Sequence, residues 1–421
     1  MRKNKFGRRS KLLAAILFAG LLTVSLAAST GSIYADTQDS ADTAAEEPAA
    51  ALPVGSAART VTEKGYLVLY PPAPPAVINP LTGLAGFNEK AVGKRPIALV
   101  VENDPKARPQ WGIDDPEKSP DIILEGEMEG GETRTLWFYA DMTALPSQAG
   151  PLRSARPPYI RFSELFDAIF IHCGYSHSSW DYTGADAVFS NDGVDHIDML
   201  SYGNATGVFG RDYSRTSMLE HTAFLRGEKV ADTIAATGFR TDANESRYTK
   251  FEFEGTEEET KEEPKTGTGL VDRLRQASDL IVNPPAPEEP AGKPCTSIDI
   301  QFSNATDTKH FDYSEEDKMY HTQDYYTDVA RTNVLLLFDE TRYIEKQDTW
   351  GAGVSELYCN YEFAGGRGYL ARNGRIEEIT WAVEDGRIAL RGADGEPAQL
   401  TPGKTWIGWC SENHRGSVTA E

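Results

Sequence analysis

Short apolar runs separated by polar and turn-forming residues dominate the chain, and this pattern predicts a protein rich in β-strands. Residues 97–101, IALVV, form an uninterrupted apolar run typical of a strand buried on both faces. Residues 121–141 have the pattern of a hairpin that turns at Gly130 and Gly131. A helical turn and a further buried strand follow over residues 161–176.

Beyond this region, the periodicity of residues 220–239 predicts a helix that ends at Gly238. From Thr296 onward, alternating apolar and polar residues predict several strands, with turn signals at Asn373-Gly374 and Asp394-Gly395. The fold class expected is therefore α+β. A mixed α/β N-terminal domain with a central sheet is predicted over residues 76–252, and a smaller, mainly β C-terminal domain over residues 295–421.

Three further segments have other patterns. Residues 1–35 begin with six Lys and Arg and continue into an apolar run, as in a secretory signal peptide, although an uncleaved membrane anchor is the alternative. Residues 36–75, rich in Ala, Pro and acids, predict a disordered stalk. Residues 253–294 contain acidic and Pro-rich stretches and predict a linker or a surface insertion.

The formal net charge is −22, and removal of the signal peptide would make the chain more acidic still. An acidic surface is repelled by nucleic acid and by anionic lipid, so neither is expected as a partner. Membrane contact is expected only if the signal peptide stays uncleaved. No sequence feature indicates a cofactor. The expected partner is a cell-wall glycan or an envelope protein, in the extracellular or cell-wall space.

The four cysteines are candidates for disulfide bonds because an exported chain meets an oxidising environment. Three of them, Cys295, Cys359 and Cys410, lie in the C-terminal part, which favours one bridge there. Cys173 is predicted to be a buried thiol in a strand. The connectivity stays open, and no C-x-x-C pair suggests metal binding.

Eight motifs follow one another along the chain: NPLTGL, RPIALVVEN, ARPQWGI, DIILEGEMEGGETRTLWFY, GPLRSARP, FDAIFIHCG, NGRIEEITW and PGKTWI. Their order resembles that of the YerB-like family of exported proteins of Gram-positive bacteria. The resemblance extends from about Asn79 to Ile407 and implies a mixed α/β fold in two parts, without a secure activity. Many family members resemble lipoproteins, but no cysteine precedes Cys173 here. No lipid anchor is therefore expected.

Arg153 and Arg156 lie close together in the segment AGPLRSARPPYIRF, with Ser154 between them. Guanidinium groups suit carboxylate and phosphate, so one interpretation is an anion site. In the other, these arginines neutralise a row of glutamates, Glu125, Glu127 and Glu129, on one face of the predicted hairpin. The two interpretations can coexist.

Other polar residues extend the candidate site. Arg211 and Arg215 form a second basic pair that would strengthen the anion interpretation if it met the first. His172, His177 and Asp181 follow a buried strand, where loops often contact ligands. As an alternative, Glu125 and Glu127 with His172 could perform the acid-base chemistry of a glycan hydrolase. Catalysis by Cys173 with His172 is disfavoured because adjacent strand residues point to opposite faces.

The leading hypothesis is a non-enzymatic binding or scaffolding module of the cell envelope. It would recognise an anionic wall glycan, a peptide or a protein partner through the region of Arg153 and Arg156. A peptidoglycan or glycan hydrolase is the alternative, and no metal site is predicted.

Overall fold

The structure, a computed structural model, describes residues 59–61, 67–69, 76–255, 291–347 and 355–421. The chain divides into two compact units, Met1–Ala73 and Pro74–Glu421. Two short strands of the first unit, β1 (Arg59–Val61) and β2 (Leu67–Leu69), pair antiparallel within the predicted stalk. The predicted signal peptide, the rest of the stalk up to residue 75 and residues 256–290 of the predicted linker lie outside the described residues.

The second unit contains short helices and many strands. Its helices are α1 (Pro157–Glu164), α2 (Ala185–Asp192) and α3 (Val230–Thr237). Its strands are β3 (Ile97–Glu102), β4 (Ile122–Glu127), β5 (Thr133–Tyr139), β6 (Ile169–His172), β7 (His196–Asp198), β8 (Phe209–Arg211), β9 (Ala223–Leu225), β10 (Glu252–Phe253), β11 (Lys293–Pro294), β12 (Ser297–Gln301), β13 (Thr308–Ser314), β14 (Met319–Thr322), β15 (Val329–Arg331), β16 (Asn333–Asp339), β17 (Thr341–Lys346), β18 (Glu356–Tyr361), β19 (Gly366–Arg372), β20 (Arg375–Glu384), β21 (Arg387–Arg391), β22 (Gln399–Leu400), β23 (Thr405–Ser411) and β24 (Ser417–Ala420).

One long mixed sheet joins the two parts of the sequence. Its order is β11-β20-β19-β16-β23-β4-β5-β3-β6-β7, and β21 also pairs with β20. The N-terminal and C-terminal parts meet where β23 pairs parallel with β4, with Thr405 opposite Ile122. Strands β3, β4, β6, β7, β16 and β23 all run in the same direction, because β5 is antiparallel to both β3 and β4.

The two faces of this sheet are covered differently. Side chains alternate along β4, so that Leu124 packs with α1 while Ile123 packs with residues of a second sheet. That second sheet has five strands in the order β15-β14-β13-β12-β24. The molecule is thus an α+β structure with a mostly β C-terminal part, and the predicted fold class is confirmed.

Several predicted elements agree with the structure. The run at 97–101 forms the fully buried β3, and residues 121–141 form the antiparallel β4–β5 pair. Asn373 and Gly374, both with positive φ, connect β19 to β20 as the turn signal predicts. The helix predicted over 220–239 does end before Gly238, but it begins only at Val230, because Ala223–Leu225 pairs with Phe209–Arg211 instead.

The disulfide expected in the C-terminal part is not formed, since all four cysteines are free. Cys359 belongs to the core on the helical face of the main sheet, whereas Cys295 and Cys410 belong to the core on the opposite face. Cys173 is half-buried rather than buried. Within the described residues, no helix is both long and apolar enough to cross a membrane.

Candidate functional site

Each of the six strands that run in the same direction has a buried polar residue as its last residue. These residues are Glu102, Glu127, His172, Asp198, Asp339 and Ser411. In open sheets with parallel strands, ligands bind outside the carboxyl ends of the strands. This edge of the main sheet is therefore where a site is expected, and the predicted arginines lie beside it.

Glu102, the last residue of β3, is the centre of the candidate site. Its Oε1 accepts hydrogen bonds from the backbone N–H groups of Asn103, at 3.0 Å, and Asp104, at 3.3 Å. Its Oε2 forms an ion pair with Nε of Arg153 and lies 4.0 Å from Nδ1 of His221. The carboxylate is almost completely buried, so these neighbours replace its hydration.

Arg134 supplies a second positive charge from the neighbouring strand. It lies opposite Glu102 in the register of β5 and β3, and its Nη1 donates to the carbonyl oxygen of Ser154 at 2.8 Å. Burial lowers the pKa of Arg134 to about 10, and the nearby charge of Arg156 adds to this effect. The guanidinium still stays protonated at neutral pH, so the site keeps a fixed cation in its interior.

Arg153 is only partly used by the protein. Its closest contact with Glu102 is through Nε, and among the described residues neither of its two terminal nitrogens donates a hydrogen bond. About a third of the side chain, 31%, is exposed. A guanidinium anchored through Nε presents its outer edge to solvent, in the fork geometry that suits a carboxylate or phosphate.

Arg211 lies beside Cys173, whose backbone N–H donates to the carbonyl oxygen of Arg153 at 3.0 Å. Its Nη1 donates to the carbonyl oxygen of Leu219 at 2.8 Å, and its Nη2 lies 3.8 Å from Sγ of Cys173. Burial raises the pKa of the Cys173 thiol, while the charges of Arg211 and Arg153 act in the opposite direction. Arg153 and Arg211 are thus both close enough to Cys173 to lower the pKa of its thiol. The structure therefore brings these two of the four predicted arginines together.

The other two predicted arginines are occupied elsewhere. Arg156 pairs with Glu129: its Nε donates to Oε1 at 2.6 Å, and its guanidinium lies over the ring of Tyr358. Arg215 stacks on Trp111 at 4.2 Å and donates to backbone carbonyl groups. Ser154 donates from its hydroxyl to the carbonyl oxygen of Cys173 at 3.1 Å.

The predicted glutamate row is divided among different partners. Glu125 is buried with Lys309, whose Nζ lies 3.1 Å from Oε2, and accepts a hydrogen bond from Tyr325. Glu127 accepts from the hydroxyl of Tyr343, at 2.9 Å and 2.7 Å. Of the three glutamates, Glu129 alone is paired with a predicted arginine.

The contacts of His172, His177 and Asp181 are with residues other than the predicted arginines. Nε2 of His172 lies 2.9 Å from Nδ1 of His196, and its Nδ1 lies 2.7 Å from the carbonyl oxygen of Gly174. Burial lowers the pKa of His172 to about 4. His177 is exposed beside Asp186, and Asp181 accepts a hydrogen bond from Ser179. The partners of His172 therefore differ from those of Glu125 and Glu127.

Two residues of the site were missed by sequence reasoning, Glu102 and Arg134, and a third, His221, was noted only as a neighbour of Arg211 and Arg215 in the sequence. Glu102 had a usable signal, because a charged residue that directly ends a fully apolar strand needs a partner. His221 is 2% exposed, and neither of its ring nitrogens has a hydrogen-bond partner in the part of the chain that the structure describes. In the described part of the chain, no three His, Cys, Asp or Glu side chains are grouped so as to hold a metal ion.

Together, the fold and this site define an α+β protein in which two sequence segments complete one mixed sheet. Two family models match it: the N-terminal domain of a protein of unknown function, DUF3048, over residues 81–240, and the C-terminal domain of the same family over residues 298–407. This chain belongs to the DUF3048 family, and the resemblance to YerB-like proteins is confirmed.

A relative in Bacillus subtilis (strain 168) bears the name "Putative lipoprotein YerB". It is 27% identical over 339 residues, which cover 78% of this chain and 84% of the relative. The crystal structure of the YerB protein from Bacillus subtilis matches with a TM-score of 0.58 at 22% identity, covering 82% of this chain and 99% of that one. The structural likeness supports the same fold.

The prediction that the protein has no lipid anchor is contradicted by this relative. The prediction was based on the lack of a cysteine before Cys173. YerB is named as a lipoprotein, however, which points to a lipid anchor. Residues 1–58, where a signal or an anchor would lie, are outside the described residues. The name also supports an exported, envelope-associated protein, in coarse agreement with the predicted location.

Proposed function

We propose that this protein is a binding module of the cell envelope that holds an anionic group of a wall glycan, a peptide or a protein partner at Arg153. One observation carries the proposal: Arg153 contacts Glu102 most closely through Nε, while its two terminal nitrogens donate no hydrogen bond to the described residues. A carboxylate or phosphate would accept two parallel hydrogen bonds from such a fork.

The surrounding charges support an anion at this position. Two further cations are near the segment 153–154. Nη1 of Arg134 donates to the carbonyl oxygen of Ser154, and Nη2 of Arg211 lies 3.8 Å from Sγ of Cys173. Each cation lowers the cost of bringing a negative ligand to a protein that is acidic overall. Glu102 is neutralised by Arg153 and faces the interior, so it orients the guanidinium rather than competing with the ligand.

Arg156 takes no part in this site. Its Nε and Nη2 are engaged by Glu129 and its Nη1 by the carbonyl oxygen of Ala155, so it stabilises the segment that carries Arg153. The proposed anion site therefore consists of Arg153 and the nearby Arg211, and no longer of the pair Arg153 and Arg156.

The test is binding of the full exported chain to soluble peptidoglycan fragments with free carboxylates and, separately, to inorganic phosphate, by isothermal titration calorimetry. Arg153→Ala should weaken binding of the recognised anion at least tenfold, and binding of the wild type should fall as salt is raised. Arg153→Lys should recover only part of the affinity, because an ammonium group lacks the planar fork.

The matched control is Arg387→Ala, which removes another half-exposed arginine that lies 4.0 Å from Asp385. It should bind like the wild type. If Arg153→Ala is folded at the assay temperature and binds both probes unchanged, the proposal is wrong. It is also wrong if the wild type binds neither peptidoglycan fragments, phosphate nor any acidic partner retained from envelope extracts.

A further inference from the structure

A serine and a lysine meet at the opposite edge of the main sheet, where strands β4 and β23 begin. Ser119 lies in the loop before β4, and Lys404 directly precedes β23. The two strands are adjacent and parallel, and the backbone N–H of Thr405 donates to the carbonyl oxygen of Asp121 at 3.1 Å. The sheet therefore fixes the two residues side by side, although they are far apart in sequence.

The contact between them is close. Nζ of Lys404 lies 2.6 Å from Oγ of Ser119 and 2.9 Å from its carbonyl oxygen. Gly403 permits this position of the lysine, since a Cβ there would lie 2.0 Å from Oγ1 of Thr332. Burial lowers the pKa of Lys404 to about 8, and the charge of Arg331 adds to this effect. About a tenth of the amine is then neutral at pH 7, and the fraction rises with pH.

Both residues line a cavity of about 340 Å³. Tyr139 lines the same cavity, and its hydroxyl is buried and has no hydrogen-bond partner in the described structure. Asp121 and Asp141 also line it; Asp141 is buried and Asp121 is partly buried. The cavity thus combines a hydroxyl nucleophile, an amine base, a free hydrogen-bond donor and negative charge.

We propose that Ser119 and Lys404 form a catalytic pair that cleaves an ester or amide of an amino acid or short peptide bearing a free amine. A serine activated by a neighbouring lysine is a known arrangement for acyl transfer. This activity would lie at the amino ends of the strands and is separate from the anion site at Arg153. The carboxylates of Asp121 and Asp141 would attract the amine of the substrate.

The chemical steps balance without a further reactant except water. Oγ of Ser119 forms a bond to the carbonyl carbon while its proton passes to the neutral amine of Lys404. The bond to the leaving alcohol or amine then breaks, and that group takes the proton from Lys404. Water cleaves the resulting serine ester with Lys404 again accepting the proton, which then passes to Oγ of Ser119. The Tyr139 hydroxyl would donate a hydrogen bond to the carbonyl oxygen as negative charge develops on it.

The test treats the full chain with a fluorophosphonate probe and maps the adduct by mass spectrometry. An activated serine displaces fluoride and forms a bond from Oγ to phosphorus. We expect the adduct on Ser119, faster labelling by a probe with an amine on its linker than by one with a carboxylate, and a labelling rate that rises with pH around the pKa of Lys404, about 8.

Two variants and one control complete the experiment. Ser119→Ala should abolish labelling, and Lys404→Gln should slow it at least tenfold. Ser190→Ala, which removes an exposed serine whose Oγ donates to the backbone of Asp186, should label like the wild type. The mapped adduct on wild-type protein decides the matter even if a variant fails to fold. No adduct on Ser119, or an equal rate in folded Lys404→Gln, would overturn the proposal.

Discussion

Breaking the buried ion pair between Glu125 and Lys309 should strongly destabilise the protein. The two side chains are 1% and 4% exposed and join the main sheet to the five-stranded sheet. Glu125 also accepts hydrogen bonds from Asn103, at 2.8 Å, and from Tyr325, at 2.5 Å. Removing one partner of such a pair leaves the other charge buried without compensation.

Glu125→Gln should therefore lower the free energy of unfolding by about 3 kcal/mol or more. Lys309→Met should cost a similar amount. The double variant should be destabilised by about 2 kcal/mol less than the sum of the two single effects, because no lone charge remains. The measurement is equilibrium unfolding in urea at 25 °C, followed by tryptophan fluorescence. A loss below about 1 kcal/mol for Glu125→Gln, or simple additivity, would refute this reasoning.

The pH dependence gives an independent check. Burial alone would raise the pKa of Glu125, but the charge of Lys309 and the Tyr325 hydroxyl outweigh burial and lower it below 4.5. A lowered pKa means that this stability is fully present above the ordinary glutamate pKa and is lost as pH falls through the folded-state value. The difference between the wild type and Glu125→Gln should shrink on acidification. Glu384→Gln, which removes an exposed partner of Arg391, should stay within about 0.5 kcal/mol of the wild type.

Other perturbations test separate parts of the molecule. Arg156→Ala should cost about 2 kcal/mol in urea unfolding, because Glu129 would lose its charged hydrogen bonds. Arg153→Ala should cost at least as much, because the buried carboxylate of Glu102 would lose its cation. Gly403→Ala should destabilise the protein by about 1–3 kcal/mol through overlap with Thr332, seen as a lower urea midpoint. His172 should stay neutral in NMR titrations down to a pH of about 4. Because its pKa is lowered in the folded protein, the contribution of His172 to the free energy of unfolding is fully present above pH 6.5 and is lost as the pH falls from 6.5 toward 4. Ellman titration in denaturant without reductant should find four thiols, with Cys173 the first to react in the native state; fewer than four would contradict the free cysteines.

Local signals predicted much of the fold. The apolar run at 97–101, the glycines between β4 and β5, and Asn373-Gly374 each specify their element through neighbouring residues alone. The predicted start of the helix over residues 220–239 was wrong because of a contact between segments that are separated in sequence. Residues 223–225 can adopt a helix, but they pair with 209–211 in the folded chain.

The site was less predictable because its partners are distant in sequence. Arg153 was expected to pair with the glutamate row, but its anchor is Glu102, and the partner of Glu125 is Lys309. No periodicity relates residues that are brought together by the order of strands in a sheet. Ser119 and Lys404 are the extreme case, since only the parallel pairing of β4 and β23 makes them neighbours.

The position of β23 has a consequence for how the protein is made. This strand is the second-last of the described strands, yet it lies in the middle of the main sheet, between β16 and β4. Until it is synthesised, β4 has an open edge, and the N-terminal part of the sheet cannot be completed. Contacts of such long sequence separation slow folding. β23 must therefore be available before the sheet can close, and until then the edge of β4 is open to pairing with other chains.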